Sequence, residues 1–176
     1  SSLARIPHHL LLVRAGPERS VAATKTYTGQ MLALYLLAYA LGAPVSLKAL
    51  ERVPELAAAA LQLESDVAAQ AERYRFMRYA VVVGRGLNYA NAFELALKLM
   101  ETCYVVAERF SSADFLHGPI AMIEPAFPVF VYAPGGPSWS STREILARLR
   151  QLKAETCVFT DKSNREACRL GQRSIV

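Results

Sequence analysis

Three ionisable side chains, Glu94, Lys98 and Glu101, recur at i, i+4 and i+7 within YANAFELALKLMETCY. That spacing puts them on one face of a helix, within reach of one another. Two carboxylates beside an ammonium can supply a general base next to a cation that steadies developing negative charge. The same spacing also suits two helix salt bridges on a solvated stripe. Phe93, Leu97, Met100 and Tyr104 form one apolar stripe and Ala92, Leu95, Ala96 and Leu99 another. Most of the helix circumference is therefore predicted to be buried, leaving a narrow charged face.

A second segment, ERFSSADFLHGPIAMI at 108–123, holds His117. Ser111 or Ser112 can cap a short helix that His117-Gly118-Pro119 ends, leaving the imidazole on a loop. Such a histidine suits proton transfer near neutral pH, or is simply an exposed side chain. His8 and His9 sit at a strand edge and receive no role. A third segment, ERSVAATKTYTGQ at 18–30, sets small residues and hydroxyls ahead of a helix, which suits either an anion or sugar-hydroxyl site or plain capping. Gly84-x-Gly86 closes an apolar strand, allowing a tight turn with amide N–H groups directed at an anion. A dinucleotide fingerprint needs glycine at 89, where Tyr89 stands, so NAD binding is disfavoured.

The elements that must position these groups alternate along the chain. HHLLLVR at 8–14 reads as a buried parallel strand, and 30–41 as a buried helix capped by Thr24, Thr26 or Thr28 and ended by Gly42 and Pro44. Residues 54–76 read as one Ala-rich helix joining two units. Then follow strand 79–83, helix 91–102, strand 105–110, short helix 111–116, strand 129–133, helix 141–153, strand 157–160 and the start of a further strand at Ser-Ile-Val. This alternation predicts an α/β fold, a mostly parallel sheet with helices on both faces, doubly wound in three layers.

Composition narrows the function. Twenty basic against fifteen acidic residues give a net charge of +5 with no dense Lys/Arg block. The aromatic residues lie inside apolar runs, so the pattern fits an anionic small molecule and argues against nucleic acid. Cys103, Cys157 and Cys168 lack disulfide-framework or metal-ligand spacing. No metal site and a reduced, cytoplasmic setting are expected. The most apolar stretch, 31–47, is short for a membrane span and is broken by Gly42 and Pro44. No secretory leader is recognised, and the missing initial Met suggests a piece of a longer chain.

GPERSVAATKTYTGQ, GRGLNYANAFELALKLMETCYVVAE and SSADFLHGPIAMIE closely resemble the sugar isomerase (SIS) phosphosugar-binding family, in particular the isomerase half of glucosamine-fructose-6-phosphate aminotransferase and the glucosamine-6-phosphate deaminase-like branch. The wording SSADFLHGP is nearer the deaminase-like branch. The resemblance implies two SIS units, here 1–50 as the end of a first unit, 51–78 as a connecting helix and 79–176 as most of a second. It also implies an amino-sugar-phosphate isomerase/deaminase acting on glucosamine 6-phosphate or fructose 6-phosphate by a C1–C2 proton shift, without a cofactor. By resemblance, Glu101 is the base that shuttles a proton between C1 and C2, Lys98 is the lysine beside it, and Glu94 is a further active-site carboxylate. His117 would open the sugar ring from the partner subunit of a homodimer. Val21 and Ala23 match positions that contact the sugar, although the aminotransferase has Ser where this chain has Ala23. The family's Ser-x-Ser-Gly-x-Thr phosphate loop and its lysine-bearing C-terminal tail are not in these 176 residues. The isomerase domain of a glutamine-dependent glucosamine-fructose-6-phosphate aminotransferase and a non-catalytic sugar-phosphate-binding module are the alternative readings.

Overall fold

Tyr79–Gly84 (YAVVVG) offers apolar side chains to both sides of its pleat, as a strand covered on two faces requires, and it forms β1, buried from Ala80 to Gly84. A computed structural model describes residues 2–176, so the first residue of the expected 1–50 segment lies outside the described residues. Two compact units emerge, Ser1–Gln62 and Leu63–Val176.

In the second unit β1 is followed by α5 (Asn88–Cys103), β2 (Val106–Ser111), α6 (Ser112–Leu116), β3 (Pro128–Tyr132), α7 (Trp139–Gln151), β4 (Glu155–Phe159), α8 (Arg165–Leu170) and β5 (Arg173–Ile175). All four strand pairings are parallel, in the order β2-β1-β3-β4-β5. The order reverses between β1 and β3, and right-handed crossovers running in opposite directions must lie on opposite faces. Accordingly Val81, Val83, Val129, Val131 and Val158 pack with Phe115, Ile145, Leu146, Leu149 and Ala167 from α6, α7 and α8. On the other face Ala80, Val82, Phe130 and Cys157 pack with Ala92 and Ala96 of α5 and with Tyr74. The expected α/β sheet with helices on both faces is thus present, and the strand expected at the end of the sequence forms as β5 over Arg173–Ile175.

The first unit departs from the sequence reading. Residues 8–14 form no strand, and Leu10, Leu11 and Leu12 are exposed. A strand needs a neighbour to satisfy its N–H and C=O groups, and all five strands described belong to the second unit. The helix expected over 30–41 starts earlier, as α1 (Lys25–Ala40). It has no buried residue, because an all-round apolar helix buries only where other elements enclose it. The single helix expected over 54–76 is divided into α3 (Val53–Leu61), α4 (Glu64–Ala71) and a 3-10 turn at Glu72–Tyr74, with α2 (Leu47–Glu51) preceding them. After Leu61 the Gln62 N–H bonds Ala59 O in a tightened turn. Glu64 and Asp66 then start a new helix where acidic residues favour the dipole.

Candidate active site

Helix α5 approaches the sheet through residues without bulk. Ala92 and Ala96 are fully buried beneath it. At the end of β1 a Cβ on Gly84 would lie 2.2 Å from Asn88 O and 2.9 Å from Tyr89 N. Gly84 therefore serves close strand–helix packing, where the sequence had suggested a tight turn with N–H groups directed at an anion. Tyr104 ends the helix in the left-handed region, with its N–H and that of Val105 both directed to Leu99 O.

With about 100° per residue, Glu94, Lys98 and Glu101 lie roughly opposite Ala92 and Ala96, on the side of α5 turned away from the sheet. Lys98 Nζ donates to Glu101 Oε2 at 2.6 Å and stands 3.5 Å from Glu94 Oε1. The three side chains are only 21–26% exposed. The hydrogen bond to Glu101 is the main cause that holds the Lys98 ammonium above its ordinary range; desolvation opposes it and the charge of Glu94 adds to it. The Lys98 ammonium is thereby placed to orient the Glu101 carboxylate.

One flank differs from expectation. Phe93, Leu97 and Met100 are more than a third exposed and Tyr104 is almost fully so, because this stripe points past the edge strand β2, with Arg109 over the Phe93 ring at 4.8 Å. An apolar cavity of about 360 Å3 lies on the sheet side of α5, lined among others by Tyr74, Leu95, Leu99, Phe130 and Cys157. It is separate from the charged face.

His117 follows α6 and is exposed, its N–H bonded to Asp114 O at 3.2 Å. Ser111, not Ser112, provides the cap, accepting the Asp114 N–H at 3.2 Å. Because α6 packs on the face opposite α5, His117 is not brought beside Glu101 within one chain. Val21 and Ala23 lie in the first unit, on the bend before α1, Val21 being 95% exposed. The hydroxyls expected to cap that helix do not do so: Thr24 makes no cap bond. Glu18, which sequence reasoning passed over, accepts the Thr26 N–H at 2.9 Å and its hydroxyl at 2.8 Å. Nothing in the sequence singled it out, because Thr24 is a favoured cap type and only the fold shows that it makes no cap bond.

A sequence model of the SIS domain matches residues 77–175. The chain belongs to the SIS family. Among curated proteins it is similar to a glutamine–fructose-6-phosphate aminotransferase [isomerizing] of Methanothermobacter thermautotrophicus, 40% identical over 152 residues, covering 84% of this chain and 26% of that protein. The enzyme of the same description from Xylella fastidiosa is 35% identical, over 93% of this chain and 29% of its own length. The SIS chain thus spans little more than a quarter of these relatives. Among solved structures, the C-terminal domain of glucosamine-fructose-6-phosphate aminotransferase from Francisella tularensis superposes with a TM-score of 0.79 at 28% identity, over 87% of this chain and 46% of that one. A glucosamine-6-phosphate deaminase from Thermotoga maritima shares the fold, with a TM-score of 0.69 at 20% identity over 81% and 44%. No described helix of this SIS chain is long and apolar enough to cross a membrane.

Proposed function

We propose that this chain carries the acid–base part of an enzyme that interconverts aldose and ketose forms of an amino-sugar phosphate. The carrying observation is the Lys98 ammonium bridging Glu101 at 2.6 Å and Glu94 at 3.5 Å on the outward face of α5. Glu101 takes the proton from C2 of the open-chain aldose, leaving an enediolate or its 2-amino counterpart, and returns it to C1; from the ketose the same proton runs from C1 to C2. Lys98 aligns the carboxylate and offsets the negative charge that develops on the substrate oxygen. Glu94 holds the other side of the ammonium.

The substrate class is glucosamine 6-phosphate or fructose 6-phosphate, supported by the names of the relatives. These names favour an isomerising aminotransferase over a deaminase, and the proton shift is common to both. His117 opens the ring of a substrate held by a second copy of the chain. The placement of α6 and α5 on opposite faces supports that dimer. Val21 and Ala23 contact the sugar; 1–50 is the end of a first SIS unit, 51–78 the connection and 79–176 most of the second. The protein acts in the cytoplasm, in keeping with three unpaired cysteines.

The test is solvent-deuterium exchange at C2 in the intact protein. Glu101→Gln should lower it by about 10²–10⁴-fold, the usual worth of a general base, with the circular dichroism spectrum unchanged. Exchange at the wild-type rate would refute the assignment. Tight binding of glucosamine 6-phosphate without exchange in the wild type would indicate a non-catalytic sugar-phosphate module.

A further inference from the structure

The loop at 19–24 is closed at its base by the side chains of Glu18 and Lys25. Glu18 Oε1 receives both the backbone N–H and the hydroxyl of Thr26, at 2.9 and 2.8 Å. Lys25 Nζ donates to Pro17 O at 2.8 Å and stands 3.9 Å from the other Glu18 oxygen. Thr24 occupies the capping position without making the bond, so a carboxylate eight residues upstream of Thr26 caps α1 in its place. We propose that Glu18 is a positioning residue for substrate: by closing residues 19–24 onto the start of α1, it presents Val21 and Ala23 in one conformation to the sugar. This rests on the reading that Val21 and Ala23 touch the sugar.

The closure also limits what the loop can recognise. An anion is already seated at the positive end of α1, and the Thr26 bonds hold its carboxyl below the ordinary range. A substrate phosphate would meet a like charge and occupied donors there. The loop therefore faces the hydroxyl-bearing carbon chain of the sugar, and the phosphate is gripped elsewhere.

In the intact protein Glu18→Ala should raise KM for the sugar phosphate about tenfold with kcat within about twofold, the pattern for lost binding geometry rather than lost chemistry. Glu18→Gln keeps an acceptor for both Thr26 bonds and should restore KM to within about threefold. Competitive inhibition by inorganic phosphate should be the same in all three proteins. An unaltered KM in Glu18→Ala, or phosphate inhibition weakened in step with KM, overturns the proposal. Amide hydrogen exchange at Thr26 provides a readout independent of activity: it should quicken about tenfold in Glu18→Ala. An unchanged rate there overturns the closure itself. If the wild type shows neither C2 exchange nor sugar-phosphate binding, the proposed function fails and the substrate half of this inference with it, while Thr26 exchange still decides the closure.

Discussion

Replacing Gly84 with alanine tests whether α5 is positioned by a single close contact. The added Cβ would lie 2.2 Å from Asn88 O, 2.6 Å from Asn88 C and 2.9 Å from Tyr89 N. Ordinary carbon–oxygen contact distance is about 3.3 Å, so the backbones must part by about 1 Å. The contacted atoms are backbone, so no side chain can rotate away. β1 lies inside the sheet, hydrogen-bonded to both β2 and β3, whereas residues 85–87 ahead of α5 are exposed. The helix therefore yields, lifting Ala92 and Ala96 from the strands. Overpacking of this kind costs about 2–3 kcal/mol, and in a unit of this size that is a fall in Tm of about 8–12 °C. Because the shift carries Glu94, Lys98 and Glu101 with it, C2 exchange in the intact protein should drop about 10²-fold beyond any loss of folded protein. Gly86→Ala is the control. Gly86 has φ +58° with open space around it, so alanine there costs only about 1 kcal/mol of left-handed strain. Thermal denaturation and isotope exchange measure both variants. A Gly84→Ala protein with Tm within about 2 °C of wild type and normal exchange would refute this account of helix placement.

The second unit has a further electrostatic tie, at Glu155. Its side chain, 9% exposed, accepts from Arg73 Nη2 at 3.3 Å and Arg173 Nε at 3.2 Å, joining the turn before β1 to β5 through β4. Glu155→Gln should cost about 1.5 kcal/mol, the low end for hydrogen bonds between charged groups, because both arginines reach water and no buried charge is left unpaired; a urea-unfolding difference below about 0.5 kcal/mol would contradict it. Asp161 receives hydrogen bonds from Ser163 and from the Gly135 N–H at 2.7 Å, which pull its carboxyl down to about 2 from 3.8. A depressed carboxyl stabilises the fold above its unfolded value, and that contribution is lost as pH falls from about 4 through 2. Asp161→Asn should then be less stable than wild type at pH 7, with the gap closing toward pH 2. A gap that does not depend on pH would rule this out.

Much of the second unit was legible in the sequence because its signals are local. Val-rich runs at 79–83 and 129–133 have period-free hydrophobicity suited to strands covered on both faces, and the β-α alternation then leaves few topologies. The i, i+4, i+7 spacing likewise sufficed to put Glu94, Lys98 and Glu101 together, since helical geometry alone decides it. In the first unit the same local reading failed. The apolar run at 8–14 has the composition of a strand, but a strand exists only where another supplies its hydrogen bonds.

Gly84-x-Gly86 shows the remaining gap most plainly. The sequence determined that a tight turn follows β1, while only the three-dimensional packing decided that Gly84 is there to admit the backbone of Asn88 and Tyr89. By itself the sequence determined the residue types, their helical spacing and the alternation of strand and helix. The tertiary structure decided that the charged face of α5 turns away from the sheet, that α6, which His117 follows, packs on the opposite face, and that Glu18 closes the bend at 19–24. Each of those depends on contacts between residues distant along the chain or on which face a crossover takes. Neither is encoded in the spacing of near neighbours.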